Sequence, residues 1–312
     1  MEFDELPDGL RVRTPAKINL YLEVGDVRGD GFHEIDSLLQ TVSLHDVLEF
    51  RETDDGEISL EEKGIADREE NLVHRAAVLL RESGLLPAAS RRGVRIVLEK
   101  RIPQGAGLGG GSSDAAATLV ALARLWDVRA SVEQLSEIAA RLGSDVPFFL
   151  RGGTARLRGR GEHVTPWHEV FDHESFHYVV AHPGVHVPTG KVYESLDRRR
   201  QGGFTLTVSS PLDSMTSADI VSRFARGEVF YNRLEDVTCS LYPELGDVSS
   251  RMKEEPFTAV SMTGSGAAFF GLCRDAEEAD RLARRLVAGW PPETAVYAVQ
   301  SEPGYRFPWL AR

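Results

Sequence analysis

Cysteine is nearly absent. Two residues, Cys239 and Cys273, in a chain of 312 exclude a disulfide framework and fit a reducing, cytoplasmic setting. No run approaches the ~20 consecutive apolar residues of a membrane span. The N-terminus, MEFDELPDG, is acidic and has no apolar stretch, which argues against a signal peptide. Basic residues are outnumbered, 36 against 48 acidic ones, for a net charge of −12. That balance argues against nonspecific nucleic-acid binding, which needs basic surface to neutralise phosphates. The runs Arg91-Arg92 and Arg198-Arg199-Arg200 are short and read as solvated faces. Internal repeats and low-complexity segments are also missing. What remains, 42% hydrophobic and 27% charged residues, is an ordinary globular composition. A chain this long buries a sizeable core and is expected to divide in two. We place the boundary near Thr165-Pro166, giving units 1–165 and 166–312.

Glycine, by contrast, is concentrated. Five of the twelve residues from Pro103 to Asp114 are glycine. A β-like run, Val94 to Leu98, precedes this stretch, and an alanine-rich helical run, Ala115 to Trp126, follows it. Strand, glycine loop and helix start form the arrangement that binds phosphate. Glycine lets the backbone approach closely at positive φ, and the free amides and dipole of the first helical turn favour an anion. Ser112 and Ser113 are expected to cap the helix and to offer hydroxyls to a phosphate or its metal. No GK[ST] follows the glycines, so this is not a Walker loop. Gly105-x-Gly107-x-x-Gly110 fits the dinucleotide pattern. However, the helix to Trp126 runs into a second helix rather than a strand, which leaves Asp127 in the wrong context for that reading.

Elsewhere the residues admit plain readings. Leu10 to Val24 alternates as a strand, placing Lys17 and Asn19 on one face and Ile18 and Leu20 on the other. An exposed strand face would explain the pair. Asp30-Gly31-Phe32-His33 is a turn with an aromatic residue and a histidine at its exit. Strands are expected at 37–44, 47–51 and 57–61, and a helix from Asn71 to about Ser83. Ser131 and Gln134 form a capping box for a helix ending at Gly143. Asp145 follows in a turn at the mouth of the apolar run Val146-Pro147-Phe148-Phe149, read as a strand, where a capping role would suffice. The stretch 163–186 carries His163, His168, His173, His177, His182 and His186. Its spacings fit no zinc motif, because 176–180 reads as a strand. Asp275 and Glu278 read as a capping box for a last helix, and 294–300 as a final strand.

The string PQGAGLGGGSSD closely resembles the ATP loop of the GHMP kinase superfamily, the galacto-, homoserine, mevalonate and phosphomevalonate kinases. PAKINLYLEV resembles the family's first motif and MTGSGA (262–267) its third. LGSDVPFF resembles its LGxDVPxF string, and YNRLE (231–235) and HPGVHVPT (182–189) resemble further segments. The likeness runs from about Arg13 to Phe270. It implies an α+β, two-domain fold with the active site in the cleft between domains. It also implies an ATP-dependent kinase acting on an alcohol, with Mg²⁺. Asp145 would be the general base, and Lys17 would lie beside it and the γ-phosphate. The implied nucleotide site takes in Asn71, Leu72, Lys100, Pro103, Gly105, Gly107, Leu108, Gly109, Gly110, Gly111, Ser112 and Ser113, with Ser113 a guess for the metal. The third-motif turn, Gly264, Ser265 and Gly266, would lie near the phosphates. The DGFH turn and the PGVHVPT segment resemble the branch of the family in non-mevalonate isoprenoid synthesis, whose small-molecule substrate carries a cytidine. Asn19, Phe32, His33, Thr189 and Tyr193 would line that substrate's site, with Phe32 standing where the branch has tyrosine. Homoserine- or mevalonate-type kinases are the alternatives, as is a nucleotide-binding protein without kinase activity.

Overall fold

Alternation of apolar and polar residues builds a long antiparallel hairpin at the centre of the first sheet. After β1 (Glu2–Leu6), the strands β2 (Gly9–Val27) and β3 (His33–Thr53) pair along most of their length. The structure is a computed structural model that describes residues 1–62, 71–86, 92–171, 175–200 and 210–311. Arg91 and His173, singled out above, lie outside these residues. The two strands expected at 37–44 and 47–51 are one strand. Pro15 pairs with His45 and Ala16 with Val42, so a bulge absorbs the extra residues where Pro15 has no amide to give.

Next come β4 (Ile58–Glu62), α1 (Leu72–Glu82), β5 (Gly93–Glu99), α2 (Gly110–Leu125), α3 (Val132–Leu142) and α4 (Val146–Phe149). The first half ends with β6 (Thr154–Gly159) and β7 (His163–Pro166). Strand order in the first sheet is β1-β2-β3-β5-β4, and β6 pairs with the early part of β3. Helices α1 to α4 pack on this sheet in one apolar cluster that includes Phe50, Leu119, Leu135 and Phe148. Alanines let α2 sit close: Ala115, Ala116, Ala117 and Ala121 are fully buried. The expected strand after Asp145 is instead the helical turn α4. Pro147 suits a first helical turn, where its missing amide costs nothing.

The second half holds α5 (His168–Phe171), β8 (His177–His182), α6 (Thr189–Arg200), α7 (Ser217–Ala225), β9 (Tyr231–Asn232), α8 (Glu235–Leu241), α9 (Pro243–Lys253), β10 (Ala259–Met262), β11 (Phe269–Cys273), α10 (Ala276–Gly289) and β12 (Ala295–Gln300). Its sheet runs β10-β11-β8-β12. Asp275 caps α10 through the Glu278 amide, but the Glu278 carboxylate turns back to the Arg274 amide, so the capping box is incomplete. Among the described residues no helix is long and apolar enough to cross a membrane.

The halves share a core. Ile18 and Leu38 of the first sheet pack with Tyr178 and Phe270 of the second, and β9 pairs in parallel with β2. The C-terminal tail crosses back to the first half, where Phe307 and Leu310 join the first core and the Tyr305 amide donates to the Arg151 carbonyl. A buried ion pair fixes β6 on β3: Arg156 bonds both Asp36 oxygens, at 2.7 and 2.6 Å, and reaches Asp213 at 2.8 Å. Removing one partner leaves the other charge buried, which costs about 3–5 kcal/mol. Asp36→Ala is therefore expected to lower unfolding free energy by about that amount in a urea titration. A loss under about 1 kcal/mol would mean that Asp213 and solvent compensate for the missing partner.

Candidate active site

The glycine loop is fixed through its backbone. Gly105, Gly107 and Gly109 adopt φ of 64°, 76° and 71°, a region that L side chains avoid. The Lys17 amide donates to the Leu108 carbonyl at 2.9 Å, and the Ala268 amide to the Ala106 carbonyl at 3.1 Å. The Thr263 hydroxyl reaches the Gly107 carbonyl at 3.1 Å. The first and third motifs thus grip the loop from two sides. Asn232 braces the third, donating to the Met262 and Gly264 carbonyls at 2.7 and 2.8 Å.

Left-handed Gly109 is the N-cap of α2, and no side chain caps the helix. The helix starts at Gly110, earlier than its composition indicates, so Ser112 and Ser113 lie in the first turn and do not cap it. The amides of Gly110, Gly111 and Ser112 have no intrahelical partner, and these residues line the cleft, whereas the Ser113 amide donates to the Gly109 carbonyl at 2.9 Å. Ser113 does not line the cleft. It is buried, bonded to the Thr14 hydroxyl at 2.5 Å and donating to the Pro15 carbonyl at 2.6 Å. That geometry removes it as a metal ligand. Gly266 also falls outside the cleft lining, on the far side of its turn against Met262.

Every other expected site residue lines one cleft of about 900 Å³, which is within the usual range for a ligand site. Lys17 is buried and its ammonium lies 2.6 Å from Asn19 Oδ1 and 3.4 Å from Asp145 Oδ2. Asn19 is held in turn by the Ser37 hydroxyl at 3.0 Å and by Thr263, which accepts its backbone amide at 3.1 Å. Asp145 occupies the N-cap position of α4 but makes no capping bond, and its side chain is 33% exposed. Its carboxylate is therefore free to meet a substrate.

Among the cleft residues of the first half, Asn71 caps α1 through the Val73 amide and donates to Glu62 at 2.8 Å. Burial raises the Glu62 carboxyl above its usual range. Lys100 bonds Asp46 and Asp114, the latter at 2.7 Å. Burial pulls the Lys100 pKa down, but the two carboxylates outweigh it and the net shift is upward. Asp46 Oδ1 also accepts the amides of Arg101 and Ile102, at 2.6 and 2.8 Å. Asp114 has no such amides, and its Oδ1 is buried without a partner. Burial, with Asp46 adding to it, holds the Asp114 carboxyl well above the carboxylate range.

On the opposite side, Thr189, Tyr193 and Asp197 recur every fourth residue on α6, so one helix face lines the cleft. His33 Nε2 lies 2.7 Å from Asp197 Oδ1, and its ring packs on Tyr193 at 4.9 Å. Burial, followed by Asp145, pushes the Tyr193 phenol up to about 12. The Thr189 hydroxyl meets that of Ser265 at 2.9 Å. Phe32 is 49% exposed and carries the Arg160 guanidinium over its ring. His186 lies against Gly105, while His177 and His182 belong to β8. Sequence reasoning passed over Asp46, Glu62, Asp114, Arg160 and Asp197. Of these, Asp114 closes the motif string and Asp197 lies four residues from Tyr193, while the other three carried no local signal.

Two outcomes follow from this geometry. A Cβ at Gly107 would collide with the Thr263 carbonyl, and its φ is positive. Gly107→Ala is expected to weaken ATP about ten- to a hundredfold in calorimetry, the scale of local backbone strain. Unchanged affinity would show that the loop does not hold the phosphates. The raised Asp114 carboxyl releases its proton more readily unfolded than folded, so it lowers stability increasingly as pH climbs above ~4. Asp114→Asn removes that burden. Its melting temperature relative to wild type is expected to rise between pH 4 and pH 7, and a flat difference would refute the assignment.

The chain matches the GHMP kinases N terminal domain over residues 71–153 and the GHMP kinases C terminal over residues 218–291. It is 41% identical over 276 residues to a 4-diphosphocytidyl-2-C-methyl-D-erythritol kinase of Pelotomaculum thermopropionicum, spanning 86% of this chain and 91% of the relative. A kinase of the same name from Bacillus velezensis is 38% identical over 275 residues, 86% of this chain and 90% of the relative. The crystal structure of a 4-(cytidine 5'-diphospho)-2C-methyl-D-erythritol kinase superposes with TM-score 0.76 at 38% identity, covering 94% of this chain and 100% of that one. Homoserine kinase from Cytophaga hutchinsonii, at 20% identity and TM-score 0.67 over 97% of this chain and 98% of that one, shares the fold. The chain belongs to the 4-diphosphocytidyl-2-C-methyl-D-erythritol kinase family of the GHMP kinases.

Proposed function

We propose that the protein transfers the γ-phosphoryl group of ATP to the 2-hydroxyl of 4-diphosphocytidyl-2-C-methyl-D-erythritol, a step of non-mevalonate isoprenoid synthesis, in the cytoplasm. The observation that carries this reading is the convergence, in one cleft, of the glycine loop, the Lys17–Asp145 pair and the His33, Tyr193 and Asp197 group. Phosphoryl transfer needs alignment and charge neutralisation more than covalent help. Amides at the α2 N-terminus hold the phosphates. Asp145 accepts the hydroxyl proton as the hydroxyl oxygen bonds to the γ-phosphorus and the bond from that phosphorus to the β,γ-bridging oxygen breaks, releasing ADP. Lys17, held by Asn19, places a positive charge beside both Asp145 and the incoming phosphate and stabilises the negative charge that develops. Phe32 and Tyr193 offer rings for the cytosine, and His33 a polar edge.

ATP calls for Mg²⁺, which keeps several waters and is bound mainly through phosphate oxygens. Among the described residues no group of three or more His, Cys, Asp or Glu forms a ready metal site, and Ser113 is turned away. We assign Mg²⁺ no protein ligand and no step.

A coupled ADP-release assay with the cytidyl alcohol, homoserine and mevalonate tests the function. Turnover confined to the cytidyl alcohol is expected. Turnover of another alcohol at comparable kcat/KM would move the protein to a different branch, and nucleotide binding without turnover would make it a binding protein. Asp145→Asn keeps the shape but cannot take the proton. It is expected to lower kcat about 10²–10⁴-fold with ATP affinity nearly intact. A kcat near wild type would remove Asp145 from the mechanism.

A further inference from the structure

Among the described residues, the cleft is lined by three Lys and Arg cations in different circumstances. Lys17 is paired with Asp145, and Lys100 with Asp46 and Asp114. Arg160 is the third. Among the described residues its guanidinium meets no carboxylate. It lies over the Phe32 ring, 5.1 Å from the centroid, and touches the Ala140 carbonyl from one terminal nitrogen at 3.3 Å.

Its position is built. Arg160 sits in the β6–β7 turn between Gly159 and Gly161, whose φ values are 75° and 119°. Glu34 accepts the Gly159 amide at 2.9 Å and pairs with Arg28 at 2.8 Å, and Arg28 reaches Glu162 at 3.9 Å. The Glu162 carboxylate accepts the Arg160 amide at 2.6 Å. These bonds lock the loop carrying Phe32 and His33 to the turn carrying Arg160. The turn also abuts the residue before Asp145, because a Cβ at Gly161 would lie 3.1 Å from Ser144 Cβ. Arg160 is therefore bracketed by the ring offered to the base and the segment that presents the proton acceptor.

A substrate in which a diphosphate joins cytidine to the reacting alcohol must lay that diphosphate between these two points. Among the described residues, the charged ones that the second half and the α4 cap bring to the cleft are the carboxylates of Asp145, Glu194 and Asp197, which repel it. We propose that Arg160 binds the diphosphate of the cytidyl substrate through its unpaired guanidinium edge, and so sets the distance from base to hydroxyl. A planar guanidinium with several donors suits adjacent phosphate oxygens. This assignment rests on the cytidyl reading above.

The test is calorimetric titration of cytidine and CDP into wild type, Arg160→Gln and Arg160→Lys. The ATP site is filled by a non-hydrolysable ATP analogue, and each variant is checked by thermal melt. Wild type is expected to prefer CDP over cytidine about ten- to a hundredfold, the scale of charge-assisted hydrogen bonds. Arg160→Gln should abolish that preference while changing cytidine affinity by no more than about fivefold, the weight of the cation–π contact. Arg160→Lys should retain part of the preference. If Arg160→Gln keeps the full preference for CDP, or loses cytidine and CDP affinity equally, Arg160 only props Phe32 and the proposal is overturned. A wild-type protein that binds neither ligand overturns the cytidyl reading, and this proposal with it.

Discussion

The glycine loop cannot hold its own shape, and the architecture around it exists to hold it. Positive φ at three alternate glycines makes a segment with many accessible unfolded conformations, and only Ala106 and Leu108 between them pack into the core. Order comes from outside, through three consecutive carbonyls, those of Ala106, Gly107 and Leu108. Two accept from the β10–β11 turn, through the Ala268 amide and the Thr263 hydroxyl, and the third accepts the Lys17 amide of β2. The donors come from both halves of the chain, so the loop is in register only when the two sheets are docked. The shared apolar cluster that includes Ile18, Leu38, Tyr178 and Phe270 thus supports the loop directly, because Ala106 and Leu108 belong to it and also line the cleft.

Buried charge is arranged by the same logic. Lys17 would be costly in an apolar interior, and Asn19 and Asp145 offset that cost. Lys100 is over-supplied, with two carboxylates for one ammonium. The excess falls on Asp114, which lacks the backbone amides that Asp46 enjoys. The asymmetry has a geometric source. Asp46 faces the chain turning out of β5, where amides are free, while Asp114 is the fifth residue of α2, past the free amides of its first turn.

Legibility in the sequence follows the range of the interaction. The α3 capping box and the α1 N-cap at Asn71 close within three residues, and both were readable. The motif strings placed Lys17, Asp145 and most of the loop in one cleft because they are short and particular. Reading failed where geometry overrode local signal. The run after Asp145 is apolar enough for a strand, and only the proline favours a helical turn. The serines after the glycines look like caps, but Gly109 takes that position by its left-handed backbone. Asp46 and Arg160 had no local mark at all. Asp46 meets Lys100 from 54 residues away, and Arg160 gains its setting from a loop more than a hundred residues earlier in the chain.

The third-motif turn ties recognition to chemistry. Its Thr263 holds both Asn19 and the glycine loop, and its Ser265 holds Thr189 at the head of α6. From Thr189 the same helix carries Tyr193 and Asp197 to His33. The atoms offered to the base and those offered to the phosphate are thus connected through a turn of four residues, itself clamped by Asn232. On the reading proposed above, a hydroxyl presented from a base seated on α6 is positioned against the phosphate through the hydroxyl hydrogen bonds of Ser265 and Thr263. Where positioning supplies most of the rate, as in phosphoryl transfer, such a short rigid path is the feature that catalysis requires.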